Sequence, residues 1–376
     1  MPAEWEPHLA TWLSWPRPES DSFPGAHYEI AVPVFAALIR EITAGEEVHL
    51  NVWDEAAWAD ARKYLVGARV PLERVHPHLF PAYEPWCRDH GPIFLVRDTP
   101  AARTAFSANE RTGLAGAGSN VDATRPVSAG GKAAGVRRPS RERLVLDWGY
   151  NAWGGKYPPY DLDDAVPRKV AAFRQLPVHS PGMILEGGSI EVNGCGTLLT
   201  TEACLLNPNR NPHLDRAQIE RALQDWLGVR QVLWLGDGIV GDDTDGHVDD
   251  ITRFAGPGTI VTAIEEDPSD PNHAPLAENL ARLEAMRSPE GVPFRVVTIP
   301  MPGAVMEKGQ RLPASYLNFY IANAAVIVPT YRHPNDAVAL DRLREVFTDR
   351  PVVGLDATDM IWGLGSFHCI TQQEPA

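Results

Sequence analysis

Cys369 lies in Phe367-His368-Cys369-Ile370-Thr371-Gln372-Gln373, just after the turn Gly363-Leu364-Gly365. A thiol so placed is either a small packed hydrophobe or a nucleophile carried to a pocket by the last strand. Asp89 stands in Trp86-Cys87-Arg88-Asp89-His90-Gly91-Pro92, ahead of an apolar run. Alone it reads as a surface ion pair, and Trp86 either packs or forms an aromatic wall against a planar cation. In Glu186-Gly187-Gly188-Ser189 the double glycine lets the backbone approach something closely, or simply makes a turn with a solvated glutamate. The segment Asp242–Asp250 holds five aspartates in nine residues around Gly246-His247-Val248-Asp249. A calcium loop fails there, because with Gly246 at the glycine position the first ligand falls on Gly241 and the twelfth on Thr252. In an extended segment His247 and Asp249 would share one face, which suits proton transfer beside a bound cation.

The combination matters more than any member. A thiol, a histidine and several carboxylates meet the needs of nucleophilic attack on a guanidinium. That group stays cationic, and its planar fork pairs with carboxylates in bidentate fashion. Two carboxylates would fix it and offset its charge, leaving its carbon open to a thiolate that the cation itself favours. A serine-type triad would need an oxyanion hole and one carboxylate behind the histidine, so the surplus of acid argues for a cationic substrate.

Composition sets bounds around this chemistry. The 376 residues could form two average domains or one large α/β domain, with 44% hydrophobic and 22% charged residues. No apolar stretch is long enough to span a bilayer, and Met1-Pro2-Ala3-Glu4-Trp5-Glu6 does not begin like a secretory signal. Cys87, Cys195, Cys204 and Cys369 are too few and too irregular for a disulfide framework. With no CxxC or HExxH pair, no metal or organic cofactor is expected, and a cytoplasmic setting fits. A net charge of −15 argues against nucleic acid and permits a cationic ligand.

Strand-like runs alternate with helical patterns. Val48–Trp53, Ile93–Val96, Leu144–Leu146, Ser189–Val192, Thr197–Thr200, Thr259–Thr262, Phe294–Val297, Ala325–Val328 and Pro351–Val353 read as strands. Asn193-Gly194 signals a hairpin in which both positions tolerate positive φ. Helices are expected over Asp215–Leu227 with Gly228 as the stop, from Pro275 with Leu276, Leu280 and Leu283 aligned, and from Asp336 as N-cap. Hairpins interleaved with single helices suggest ββα-type units within one domain spanning residues 1–376. From about Pro100 to Arg143 the chain is rich in Ala, Gly, Ser, Arg and Pro, and a long mobile surface loop is expected.

These motifs closely resemble the agmatine deiminase family, related to the bacterial-type peptidylarginine deiminases. The resemblance runs through Met1–His8, Trp86–Pro92, Asp147–Tyr157, Glu186–Ile190, Leu198–Pro212, Asp245–Phe254, Ser315–Asn323 and His368–Gln373. It implies an α/β pentein fold, a five-bladed propeller of ββαβ units with pseudo-fivefold symmetry. It also implies Cys369 as nucleophile, His247 as general acid and base, Asp89 and Asp249 gripping the guanidinium, Glu186 adding an acidic contact and Trp86 walling the pocket. A covalent S-alkylthiouronium intermediate follows, with N-carbamoylputrescine and ammonia as products from agmatine. Relatives imply a homodimer or larger assembly.

The chain departs from the family where Gly363-Leu364-Gly365-Ser366-Phe367 replaces Gly-Gly-Gly-Asn-Ile, and again at Ile190–Cys195 and Lys156–Tyr160. These changes bear on the far end of the substrate. The competing readings are a deiminase of free or peptidyl arginine, whose pocket should offer cationic or backbone donors, an amidinotransferase, and a noncatalytic guanidine-binding protein.

Overall fold

A computed structural model describes residues 1–98 and 141–376. Met1–Val96 with Arg143–Ala376 forms one compact unit. Of the expected loop, residues 141–143 already belong to the strand Arg141–Leu146, and the rest lies outside the described residues.

The protein is mixed α/β. Among the described residues, five sheets have three or four strands, and a sixth is the short hairpin of Met306–Glu307 with Gln310–Arg311. Three sheets repeat one plan. Thr197–Thr201 pairs antiparallel with Glu191–Val192 and parallel with Gln231–Leu235. Thr259–Ile264 lies likewise between Thr252–Gly256 and Arg295–Pro300, and Val326–Thr330 between Tyr320–Ile321 and Val352–Asp356. A parallel neighbour needs a crossover, and the helices Arg216–Leu227, His273–Ala285 and Asn335–Val346 supply it. His8–Ser14 joins the end of the chain to its beginning: it pairs antiparallel with Gln372–Pro375 and, across the helix Ala26–Ile42, parallel with Glu47–Asn51.

Local chemistry explains the punctuation. The helix Arg216–Leu227 starts on a capping box between Asp215 and Gln218 and stops where Gly228 takes φ 69°; Ile219, Leu223 and Leu227 are buried. The hairpin after Val192 is longer than two residues. Positive φ falls on Gly194 and Gly196 rather than on Asn193, whose side-chain oxygen instead accepts from the amides of Cys195 and Thr197. Asp336 is not the N-cap. The helix Asn335–Val346 begins after Pro334, and the Asp336 carboxylate, inside the first turn, accepts from the amides of Tyr331 and His333. The run from Ser189 is only in part a strand, because Gly187–Ser189 is a 3₁₀ turn and pairing begins at Glu191. Among the described residues no helix is long and apolar enough to cross a membrane.

Candidate active site

Four segments remote in sequence converge, and glycine lets them do so. A Cβ on Gly187 would lie 2.2 Å from the Arg88 carbonyl oxygen, so the Trp86–Pro92 and Glu186–Ile190 segments meet backbone to backbone. A Cβ on Gly188 would lie 2.6 Å from His247 Nδ1, 2.8 Å from Asp89 Oδ1 and 3.0 Å from Asp249 Oδ2. Those three side chains therefore surround one point, held open by the absence of a side chain. The expectation of an extended His247–Asp249 segment is not met: Val248–Asp250 is a 3₁₀ turn that follows His247. The side chains nevertheless converge, because the turn wraps around Gly188.

Cys369 is delivered by the turn at residues 366–370, ahead of the strand Gln372–Pro375 rather than on it. Asn318 clamps that turn. Its Oδ1 accepts from the amides of His368 (3.0 Å) and Cys369 (3.3 Å), and its Nδ2 donates to Cys369 Sγ (3.0 Å) and Asp250 Oδ1 (2.9 Å). The thiol itself faces Asp249 Oδ2 at 3.9 Å.

Asp89 accepts from Trp153 Nε1 and from the Gly188 amide, each at 3.0 Å, and its Oδ1 stands 3.7 Å from His247 Nδ1. Burial and then the neighbouring Glu186 carboxylate push its carboxyl up to about 7. Burial, then Asp89, raises Asp249 well above the carboxylate range. Burial also holds His247 well below the usual imidazole value, so it is neutral near pH 7. For Cys369, burial and the surrounding Asp249, Asp250 and Asp89 all disfavour the thiolate. The site is thus a buried acidic cluster. Asp249 Oδ1 and both ring nitrogens of His247 are buried without a hydrogen-bond partner.

A cavity of about 240 Å³ opens onto this cluster. Trp86, Asp89 and Cys369 line it, as the sequence reading required, together with Trp153, Tyr157, Leu312, Trp362 and Leu364. Among the described residues its charged lining residues are Asp21, Glu84, Asp89 and Asp243; Lys156 Nζ stands behind Asp243 Oδ1 at 3.6 Å, and Lys308 Nζ lies 4.6 Å from the centre of the Trp362 ring. His247, Asp249 and Glu186 lie beneath it, each fully buried. Glu186 is no solvated turn residue. Arg210 Nε donates to its Oε1 at 2.6 Å, and Glu186, Cys204 and His247 place ligand-type atoms within 4.8 Å of one another. Like His247 and Asp249, Glu186 does not line the cavity, and like Asp249 Oδ1 its Oε2 is buried without a hydrogen-bond partner.

The sequence reading gave no role to Asn318, His368, Glu4 or Trp153. His368 Nδ1 is 2.6 Å from Asp249 Oδ2 and its Nε2 is 2.8 Å from Glu4 Oε2. Asn318 could have been noticed as a lone amide in the apolar run Tyr316-Leu317-Asn318-Phe319-Tyr320.

The whole chain is similar to known proteins. Residues 1–375 match the family profile of the Porphyromonas-type peptidyl-arginine deiminases. An agmatine deiminase of Pseudomonas aeruginosa is 35% identical, the match covering 100% of this chain and 95% of that protein. The structure of an agmatine deiminase of Enterococcus faecalis superposes with TM-score 0.82 at 31% identity, covering 100% of this chain and 95% of the other. A C. jejuni agmatine deiminase with substrate bound gives 0.80 at 27% identity, with 100% and 95% covered.

Proposed function

Because the chain belongs to the Porphyromonas-type peptidyl-arginine deiminase family, we propose that it hydrolyses the guanidinium group of agmatine to N-carbamoylputrescine and ammonia. One observation carries the choice of substrate. The cavity that ends on Cys369 is walled by aromatic rings, and among the described residues its charged lining groups are the carboxylates of Asp21, Glu84, Asp89 and Asp243. A guanidinium at the floor and an ammonium at the far end both find opposite charge. The α-carboxylate of free arginine would meet like charge instead, since no described lysine or arginine lines the cavity to receive it.

The steps follow from the groups in place. Asp89 and the unpartnered Asp249 Oδ1 take the guanidinium N–H groups in charge-assisted pairs. The arriving cation counters the electrostatics that raise Cys369, the thiol proton passes to His247, and Asn318 Nδ2 donates to the thiolate that forms. Sulfur attacks the guanidinium carbon, and His247 protonates the departing ammonia. The S-alkylthiouronium that remains is attacked by water, whose proton His247 takes, and the C–S bond breaks to release the ureido product and the thiolate. Glu186, anchored by Arg210, places a carboxylate within 4.8 Å of His247, where it favours the imidazolium that forms during the reaction.

The five sheets, several built as an antiparallel pair followed by a helix and a parallel strand, are on this proposal the blades of a pentein propeller. Four free cysteines fit a reducing, cytoplasmic setting. Homo-oligomeric assembly belongs to the same proposal and rests on the resemblance alone. The test is ammonia and ureido-product release from agmatine, arginine and arginyl peptides. Turnover of agmatine that is lost in Cys369→Ala is the expected result, and preference for arginine or peptides overturns the substrate assignment.

A further inference from the structure

His368 touches no part of the cavity, yet both of its ring nitrogens meet carboxylate oxygens: Nδ1 meets Asp249 at 2.6 Å and Nε2 meets Glu4 at 2.8 Å. A neutral imidazole carries one N–H. Two carboxylates and a neutral ring therefore cannot satisfy both contacts, and the chain Glu4–His368–Asp249 must hold one further proton. Glu4 is the anchored anion of the three. Its Oε1 accepts from Arg253 Nη2 (3.0 Å) and the Ile321 amide (2.8 Å), and its Oε2 from Arg88 Nη2 (3.1 Å). Arg253 is shared with Glu191 at 3.0 Å, so two guanidinia already balance two carboxylates behind the ring.

Resting on the guanidinium-binding role given to Asp249, we propose that His368 is a positioning residue that stores the proton Asp249 must give up when substrate arrives. In the empty site Asp249 is the neutral acid, donating from Oδ2 to Nδ1, while Nε2–H donates to Glu4. When a guanidinium occupies the cavity floor, that proton moves to Nδ1. Asp249 then faces the substrate as a carboxylate, and the imidazolium lies between two anions. No bond other than O–H and N–H changes, and no proton needs to leave the protein at this step.

The raised Asp249 and the lowered Glu4 agree with this order, and both follow from position. Burial acts first on each, and for Glu4 it is outweighed by Arg253, His368 and Arg88. The groups facing His368 are Asp249 from the 3₁₀ turn, Glu4 from the N-terminal segment, Arg253 from the strand Thr252–Gly256, and Arg88, whose Nε donates to the His368 carbonyl at 3.3 Å. Burial, then Arg253 and Arg88, hold the ring well below the usual imidazole range while Glu4 opposes them. It is therefore the negative charge that substrate draws onto Asp249, 2.6 Å from Nδ1, that brings the proton to the ring.

Calorimetric titration of agmatine into the Cys369→Ala protein, in buffers of different ionisation enthalpy, counts protons released on binding. Replacing His368 by Gln in that background removes the store, and about one additional proton per agmatine should then go to solvent near pH 7. Affinity should accordingly steepen by about tenfold more per pH unit on the acid side. His368→Asn and Glu4→Gln, the latter lowering the basicity of the ring, should act in the same direction, which covers the failure of any one variant to fold. A merely structural histidine would weaken binding without changing the count. Binding with an unchanged count in His368→Gln or His368→Asn overturns the proton store. No agmatine binding by Cys369→Ala overturns the guanidinium reading of the site, and the store with it.

Discussion

Asp89 Oδ1 and His247 Nδ1 stand 3.7 Å apart across the Cα of Gly188, whose amide donates to that same Asp89 oxygen at 3.0 Å. A methyl group at residue 188 would sit 2.6 Å from the imidazole nitrogen and 2.8 Å from the carboxylate, inside contact distance of both. Neither partner is a flexible surface end, since both are buried. Gly188→Ala should therefore push the acid–base group and the guanidinium carboxylate apart. A displacement of this order costs about 100-fold in kcat when geometry controls the reaction. The check is kcat of purified Gly188→Ala beside its Tm; turnover within a few-fold of the parent would sink the argument.

The pH dependence of substrate affinity has a definite sign. Asp89 is held up to about 7 by burial and by Glu186, and a cation binds its carboxylate rather than its acid form. Below that value the binding-competent fraction falls tenfold for each pH unit, so the KM for agmatine should rise by up to about tenfold per unit from pH 7 downward. Above about pH 8 it should level off. Steady-state kinetics from pH 5.5 to 9 would show it. Because the cause is a carboxylate rather than the general acid, kcat at saturating agmatine should move less than KM over this range.

Asp249→Asn should separate stability from activity. A carboxyl raised well above its ordinary range by burial and by Asp89 is easier to keep protonated in the fold than in the unfolded chain. Its contribution to stability is full below the ordinary carboxylate range and is lost as pH rises through the raised value. The amide mimics the neutral acid and can donate to His368 Nδ1, where Asp249 now makes its 2.6 Å contact. In thermal unfolding, the Tm of Asp249→Asn relative to the parent should therefore climb between pH 5 and pH 8, by about 2 °C or more. Turnover should be lost at both. An Asn variant that is increasingly less stable toward pH 8 would contradict this account.

Much of the scaffold was legible because it depends on local signals. The capping box at Asp215 and the stop at Gly228 declare one helix, and alternating apolar runs declare most of the central strands. Of the site, Cys369, Asp89, Trp86, His247 and Asp249 were readable from residue type, and the structure gathers all five around one cavity floor. Glu186 was readable as a functional carboxylate but not as one buried against Arg210, a pairing across 24 residues that no local pattern encodes. Leu364, where the family pattern has glycine, takes φ 69° beside a Gly365 whose Cβ would strike the Trp86 ring at 2.5 Å; the strain of that turn is invisible until the ring is placed. Asp336 misled because its carboxylate reaches back to the preceding amides of Tyr331 and His333, whereas a true N-cap accepts from amides that follow it.

Asn318 shows what long-range contacts add. Its amide spends every hydrogen-bonding atom on the nucleophile's turn and on Asp250, at 2.9–3.3 Å, across some fifty residues of sequence. The donation to Cys369 Sγ favours thiolate over thiol, in a pocket where burial and three aspartates favour the reverse. Removing it should therefore raise the pH at which the thiol becomes reactive. Asn318→Ala is expected to lower kcat by about 10- to 100-fold, the cost of about one to two lost hydrogen bonds to a charged group. Alkylation of Cys369 by iodoacetamide, followed against pH without substrate, isolates the effect on the thiol, and its midpoint should move upward in the variant. If the midpoint stays put while kcat falls, Asn318 serves only to hold the His368–Cys369 backbone.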